Sequence, residues 1–277
     1  MNKNVQQQLT DLLKELHLPT FREYYAECGR RAVQEELSYE QYLLELVQRE
    51  CEARRVNKIA RLVKSSGLPL EKTMENFDLK RMPLKIRQQV KILLEGSFVD
   101  RNENLLAFGQ PGSGKTHLLC GLCHALARQQ RRVYFSTCDV MVQQLLRAKR
   151  ALELDKLLKK LSKYDALMID DFGYVKQDRD EMEVLFTLLA YRYERGSVLL
   201  TSNLPFSKWE TIFKDPMTTA AAIDRLIHHS VVLELNVPSY RAEEAKKRKN
   251  NESTSPEFGP LYGASGTEEI IVAEGKN

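Results

Sequence analysis

The stretch Gly109-Gln110-Pro111-Gly112-Ser113-Gly114-Lys115-Thr116 satisfies the spacing G-x-x-x-x-G-K-[ST], and that spacing does chemistry on phosphate. Glycines let the backbone wrap closely around a triphosphate, with N–H groups turned inward and some residues at positive φ. Lys115 is then placed to reach the β and γ phosphates, and the Thr116 hydroxyl to ligate Mg²⁺. A helix starting at Lys115 would add its positive end to the cradle. The expected nucleotide contacts are therefore Gly109, Pro111, Gly112, Ser113, Gly114, Lys115, Thr116 and the adjoining His117.

Two further sets share this logic. Ala166-Leu167-Met168-Ile169 is an apolar run ending in Asp170 and Asp171, and carboxylates at the end of a strand in an α/β sheet project into the ligand crevice. Asp170 would help to hold Mg²⁺, largely through water, and Asp171 would polarise the attacking water as general base. Taken alone, the pair also reads as a turn or cap. Leu199-Leu200-Thr201-Ser202 leads into Asn203, whose amide could position that water against the γ-phosphate. Only its place after the other two motifs lifts it above a turn residue.

The elements that must position these groups follow from the pattern of apolar runs. Strands are expected at 105–108, 133–136, 166–169, 197–201 and 231–235, with helices near 115–129, 140–150, 153–163, 181–195 and 219–229. This βα alternation is how a parallel sheet with helices on both faces reads in sequence. Before it, Leu9, Leu12, Leu13 and Leu16, then Tyr39, Leu43, Leu44, Leu46 and Val47, recur at helical spacing. Pro19 breaks the first helix, Ser38 with Gln41 forms a capping box, and Gly67-Leu68-Pro69 marks the exit. The expected organisation is a helical N-terminal domain at 1–66, a linker and the start of the nucleotide domain at 67–100, that domain at 101–245, and a polar tail at 246–277 resembling an appended segment.

Composition narrows the class. The chain has 277 residues, 43% hydrophobic and 29% charged, enough for one α/β domain and a smaller appendage. No run approaches the roughly 18 apolar residues of a membrane span, and MNKNVQQQL lacks a signal core; the expectation is a cytoplasmic protein. Cys28, Cys51, Cys120, Cys123 and Cys138 show no disulfide framework, and the lone C-x-x-C of Cys120 and Cys123 falls inside an apolar helix. His228 and His229 fit a helix end better than a metal site. A net charge of +4 is small, yet Arg54, Arg55 and Lys58 belong to a basic run ahead of the nucleotide motifs.

The three motifs, in this order and spacing, resemble AAA+ P-loop NTPases, in which the Asn-bearing strand lies between the P-loop strand and the Asp-bearing strand. IDDFG at 169–173, AIDRLIHHS at 222–230 and Ser239-Tyr240-Arg241 look like the IstB/DnaC group of transposition helper ATPases and helicase loaders, over most of 5–245. LHLPTFREYY and LSYEQYLLELVQRE look specifically like IstB, because helicase loaders of the DnaC type usually carry a different N-terminal domain. The resemblance implies an α/β AAA+ fold with a five-stranded parallel sheet, a small all-helical domain before it, and a helical lid reduced or absent.

It further implies ATP and Mg²⁺ as cofactors, with Lys115, Asp170, Asp171, Asn203 and Arg225 as catalytic residues. Arg225 would be an arginine finger given to the neighbouring subunit; it also reads as a surface arginine paired with Asp224. Phe77 resembles the aromatic near adenine, and Arg241 a nucleotide-sensing arginine. In the initiator and loader branch an extra helix faces nucleic acid, and 140–152 occupies that place with Arg147, Lys149 and Arg150. The same residues fit a solvated basic face. The reading that results is an ATP-dependent, slowly hydrolysing regulator that self-associates on duplex DNA with little sequence preference and recruits a cognate transposase. The alternative is a replicative helicase loader. A small-molecule kinase fits poorly with Asp170, Asp171, Asn203 and Arg225 together.

Overall fold

The structure, a computed structural model, describes residues 3–173, 179–209, 216–240 and 243. Five apolar runs form one parallel sheet: β1 (Asn104–Gly109), β2 (Val133–Thr137), β3 (Ala166–Phe172), β4 (Ser197–Ser202) and β5 (Ser230–Leu235), in the order β2-β3-β4-β1-β5. The Asn-bearing strand β4 therefore lies between β1 and β3. Successive strand residues face opposite ways, and both faces are covered, which is why these runs are apolar throughout.

Leu106, Phe108, Leu167, Ile169 and Leu200 join one core layer with helices α7 (Cys138–Arg150), α8 (Leu154–Leu161), α9 (Arg179–Arg192) and α10 (Pro216–Ile227). Their neighbours Leu105, Ala107, Ala166, Met168 and Leu199 join the other, against α4 (Leu84–Leu94), α5 (Ser97–Asp100) and α6 (Lys115–Arg128). Residues 67–100, expected as a linker and the start of the nucleotide domain, thus supply core: Ile86, Val90 and Leu93 lie at i, i+4 and i+7 on α4 and are buried. That stripe is a helical signal the sequence reading passed over.

The N-terminal segment forms α1 (Lys3–Glu15), α2 (Pro19–Gln34) and α3 (Tyr39–Ser66). Pro19 sits in the first turn of α2, where its missing N–H costs nothing. Ser38 and Gln41 make a reciprocal capping box at the start of α3, and Gly67 closes it in the left-handed conformation. Leu13, Tyr25, Cys28 and Leu46 form a separate small core. The buried Glu50 carboxylate accepts from the Thr20 N–H at 3.0 Å and from Arg54 Nε at 2.7 Å, tying α2 to α3.

Three boundaries differ from the expected ones for local reasons. β3 runs on through Asp170 and Asp171 to Phe172, because a bulge rather than a turn follows Ile169. α9 stops at Arg192, two residues before Glu194 takes φ 57°. α10 ends at Ile227, leaving His228 and His229 in the turn before β5. Among the described residues, no helix is long and apolar enough to cross a membrane.

Arg192 is 1% exposed and donates to the carbonyls of Leu161, Tyr164, Asp165 and Ser197 at 2.8–3.4 Å. Burial pushes it down to about 10, so it stays charged at neutral pH and stitches α8, α9 and the beginnings of β3 and β4 together. Arg192→Leu removes four hydrogen bonds from a charged donor, with Leu161 and Asp165 keeping the backbone N–H groups of Tyr164 and Ser197, and should cost at least about 3 kcal/mol of stability; a urea midpoint equal to wild type would contradict this. Cys120 and Cys123 point at Met168 Sδ at 3.9 and 3.8 Å, and burial pushes Cys120 and Cys138 up to about 12 and Cys123 well upward. They are packed thiols, not thiolates ready to bind metal. Native protein should consume one equivalent of iodoacetamide, at the exposed Cys51, as mass spectrometry of the peptides will show.

Candidate nucleotide-binding site

The loop between β1 and α6 is held on both flanks. A Cβ at Gly109 would stand 2.5 Å from the Leu235 carbonyl oxygen, and one at Gly112, where φ is +80°, would stand 2.1 Å from Ser239 Oγ. Only glycine lets β5 and the segment after it close on the loop. That closure is itself bonded, since the Tyr240 N–H donates to the Gly112 carbonyl at 3.0 Å.

Lys115 opens α6 and is 6% exposed. Its Nζ donates to the carbonyls of Gly109 at 2.9 Å and Gln110 at 3.0 Å, and to Asn203 Oδ1. The next residue, Thr116, donates from Oγ1 to Asp170 Oδ1 at 2.8 Å. A second hydroxyl, Thr201 Oγ1, donates to the same oxygen at 2.6 Å, and it accepts from the Asp171 N–H at 2.9 Å. Asp171 has φ 57°, an uncommon conformation that Asp tolerates better than most residues.

These groups surround a cavity of about 550 Å³. Of the residues expected from sequence, Phe77, Pro111, Gly112, Ser113, Gly114 and Lys115 line it, as do Thr116, His117, Asp170, Asp171 and Asn203. Gly109 lies at a smaller neighbouring cavity of about 300 Å³, beyond Asn203. Arg241 falls outside the described residues. Thr116 and Asp170 together present the hard oxygen donors that Mg²⁺ takes.

Sequence reasoning missed the far wall, made by Lys72, Asn76, Asp78, Arg81 and Tyr240. The segment carrying Phe77 lies along one stripe of α6. His124 Nε2 meets the Pro69 carbonyl and His117 Nε2 the Thr73 carbonyl, each at 3.0 Å, while Arg128 pairs with Glu75. The Phe77 ring meets His117 edge-on, with centroids 5.3 Å apart. Arg81 stacks on Tyr240 at 5.0 Å and pairs with Glu243 at 2.7 Å, joining the segment before the sheet to the one after it. The polar spacing His117, His124 and Arg128 on an otherwise apolar helix was a readable signal for the first contact; nothing local announces the second.

The remaining candidates lie elsewhere. Arg225 does not line the cavity; its guanidinium stacks on Phe186 at 4.9 Å and donates to the Ala221 carbonyl at 3.4 Å. Arg54 is engaged by Glu50 and the His17 carbonyl, and Lys149 by Asp180 and Glu183 at 3.0–3.1 Å. Arg55, Lys58, Arg147 and Arg150 are exposed. His228 and His229 meet Glu194 on the surface, with His228 Nδ1 2.8 Å from the Tyr193 hydroxyl.

A strand, a glycine-rich loop and a helix around a buried lysine, faced by two aspartates, place the site among nucleotide phosphate binders. Comparison with known proteins narrows this: the family model for the IstB-like ATP binding protein matches residues 11–249. The chain belongs to the IstB-like ATP-binding proteins. It is 36% identical over 264 residues to an insertion-sequence ATP-binding protein of Sinorhizobium fredii, covering 95% of this chain and 87% of that one. It is 34% identical to another from Geobacillus stearothermophilus, covering 90% and 99%.

Among solved structures, the fold matches AMPPCP-bound DnaA from Aquifex aeolicus with TM-score 0.52 at 20% identity, covering 67% of this chain and 56% of that one, little more than half its length. Domain III of Thermotoga maritima DnaA matches with TM-score 0.51 at 21% identity, covering 69% and 78%. The chain is thus a P-loop ATPase of the IstB-like family, with the fold of these DnaA structures. Hydrogen bonds to charged groups contribute about 1.5–3 kcal/mol each, so Lys115→Ala, which removes the buried donor, should weaken ATP binding roughly a hundredfold or more. Isothermal titration checks this, and an affinity within threefold of wild type would refute it.

Proposed function

We propose that this ATPase is an ATP-dependent regulator of DNA transposition, which self-associates on duplex DNA, remodels it and recruits or activates the transposase of its insertion sequence. The observation that carries the reading is the division of the hydrolytic parts. Lys115, Asp170, Asp171 and Asn203 share one cavity, whereas Arg225 sits outside it on α10. Arg81, which lines the cavity, is held by Glu243 and Tyr240, so the guanidinium that stabilises charge on the transferring phosphoryl is assigned to Arg225 of a neighbouring subunit, and such fingers are worth about 10³–10⁵ in rate. Hydrolysis becomes conditional on assembly, so bound ATP joins protomers and its loss releases them.

In this scheme main-chain N–H groups of the loop and the Lys115 ammonium grip the phosphates. Thr116 and Asp170 would hold Mg²⁺, which would supply neutralisation of charge on the phosphoryl oxygens. Asp171 takes the proton of the attacking water, and Asn203, already bonded to Lys115, orients that water. Aspartate is shorter than glutamate, which fits slow hydrolysis and a long-lived ATP state. Duplex contacts fall to the exposed Arg55 and Lys58 on α3 and Arg147 and Arg150 on α7, which meet phosphates without reading bases. Arg54 and Lys149, held by their own carboxylates, contribute less.

Three measurements test this. Four phosphate contacts imply that DNA affinity in the presence of AMPPNP falls about a hundredfold between roughly 50 and 200 mM salt; salt-insensitive or nucleotide-independent binding would count against the proposal. In the second, Arg225→Ala and Asp171→Asn chains, each inactive alone, are mixed. Recovery of phosphate release on mixing is expected, because one chain supplies the finger and the other the intact cavity. No recovery in mixtures that co-sediment on DNA would overturn the shared site, and recovery of a replicative helicase rather than a transposase in a pull-down would move the protein to helicase loading.

A further inference from the structure

Between β3 and β4 the pairing runs Ile169 with Leu200 and resumes at Phe172 with Ser202. Two residues of β3, Asp170 and Asp171, therefore stand opposite one residue of β4, Thr201, which is a β-bulge. In an unbroken strand, consecutive side chains would face opposite sides of the sheet, and Asp170 and Asp171 could not share a wall. Here both line the nucleotide cavity. The bulge is what turns a dipeptide into a pair of carboxylates acting on one ligand.

A bulge breaks the ladder, and the broken bonds need other partners. Thr201 provides them with one hydroxyl: it donates to Asp170 Oδ1 at 2.6 Å and accepts from the Asp171 N–H at 2.9 Å. Ser202 secures the exit, donating to the Phe172 carbonyl at 2.7 Å. Thr201 is 0% exposed and does not line the cavity, so it meets neither nucleotide nor water. Its β-branched side chain lacks freedom at χ1, which fixes where the hydroxyl points.

We infer that Thr201 is a positioning residue for ATP hydrolysis: its hydroxyl sets the orientation of Asp170 and holds the Asp171 backbone in the left-handed conformation that aims its carboxylate into the cavity. The inference rests on the reading of Asp171 as the base. It separates binding from turnover. Phosphate grip belongs to the loop and Lys115, which Thr201 does not touch, so the loss should appear in kcat and not in nucleotide affinity.

The experiment compares Thr201→Val, which keeps the shape and deletes the hydroxyl, with Thr201→Ser, which keeps the hydroxyl and deletes the methyl, in the full-length chain. A displacement of about 1 Å at a reacting group can cost roughly a hundredfold in rate. Thr201→Val should therefore lower kcat ten- to a hundredfold with KM for ATP within threefold, while Thr201→Ser retains kcat within threefold even if its melting temperature falls. A purely structural role predicts the reverse order, and that order would overturn the inference, as would wild-type turnover in Thr201→Val.

Asp171→Asn separates the two levels. Full turnover in Asp171→Asn sinks the reading of Asp171; a dead Asp171→Asn beside an unimpaired Thr201→Val sinks the inference about Thr201 alone. If Thr201 acts through Asp171, adding Thr201→Val to Asp171→Asn lowers residual turnover no further. Were Thr201→Val not to fold, Thr201→Ser still decides: loss of kcat at unchanged KM, with the hydroxyl present, refutes the role.

Discussion

A buried ammonium sits at the centre of this protein. Lys115 is almost fully removed from water, and its charge is accommodated by two loop carbonyls and the Asn203 amide oxygen. Taking a cation out of water is costly unless hydrogen bonds replace its hydration, so each neighbour is constrained to present oxygen to it. β1 must end where the loop can turn its carbonyls inward, β4 must end level with β1 so that Asn203 reaches across, and β3 must lie beyond β4 to set Asp170 against Thr116. The strand order is the arrangement that satisfies all three demands at once.

The same constraint explains the extra layers around the sheet. A loop made of glycines has little side-chain packing to hold it, so its shape has to be imposed from outside. On one flank the Leu235 carbonyl and Ser239 press against Gly109 and Gly112, and the Tyr240 N–H bonds the loop. On the other, Phe77 lies beside Gly114 and His117. Arg81, between Tyr240 and Glu243, closes these flanks on each other. The cavity wall is therefore built from chain that leads back to the three N-terminal helices and forward past β5.

Much of this is legible in the sequence. The phosphate loop is local: six residues of spacing and a following helix specify it, and the aspartates and the asparagine were each legible as polar ends of apolar runs. The capping box of Ser38 and Gln41 and the left-handed Gly67 are likewise short-range. Family resemblance added the strand order. Less legible were 84–100, whose helices were folded into a linker, and the wall of Lys72, Asn76, Asp78, Arg81 and Tyr240. Arg81 and Glu243 are far apart in the chain, and no periodicity links them.

What the sequence determined by itself is thus the glycine-rich loop with Lys115 and Thr116 and the alternation that builds a parallel sheet, because both are written in contacts between near neighbours. Tertiary structure alone decided that Asp170 and Asp171 point the same way. An alternating strand forbids it, and the exception comes from a bulge whose bonds are completed by Thr201 on another strand. It also decided which basic residues of α7 remain unengaged by carboxylates: Lys149 looks like its neighbours in sequence, but folding brings Asp180 and Glu183 to it and leaves Arg147 and Arg150 exposed. Charge is a property of the residue, while its availability depends on which groups the fold places around it.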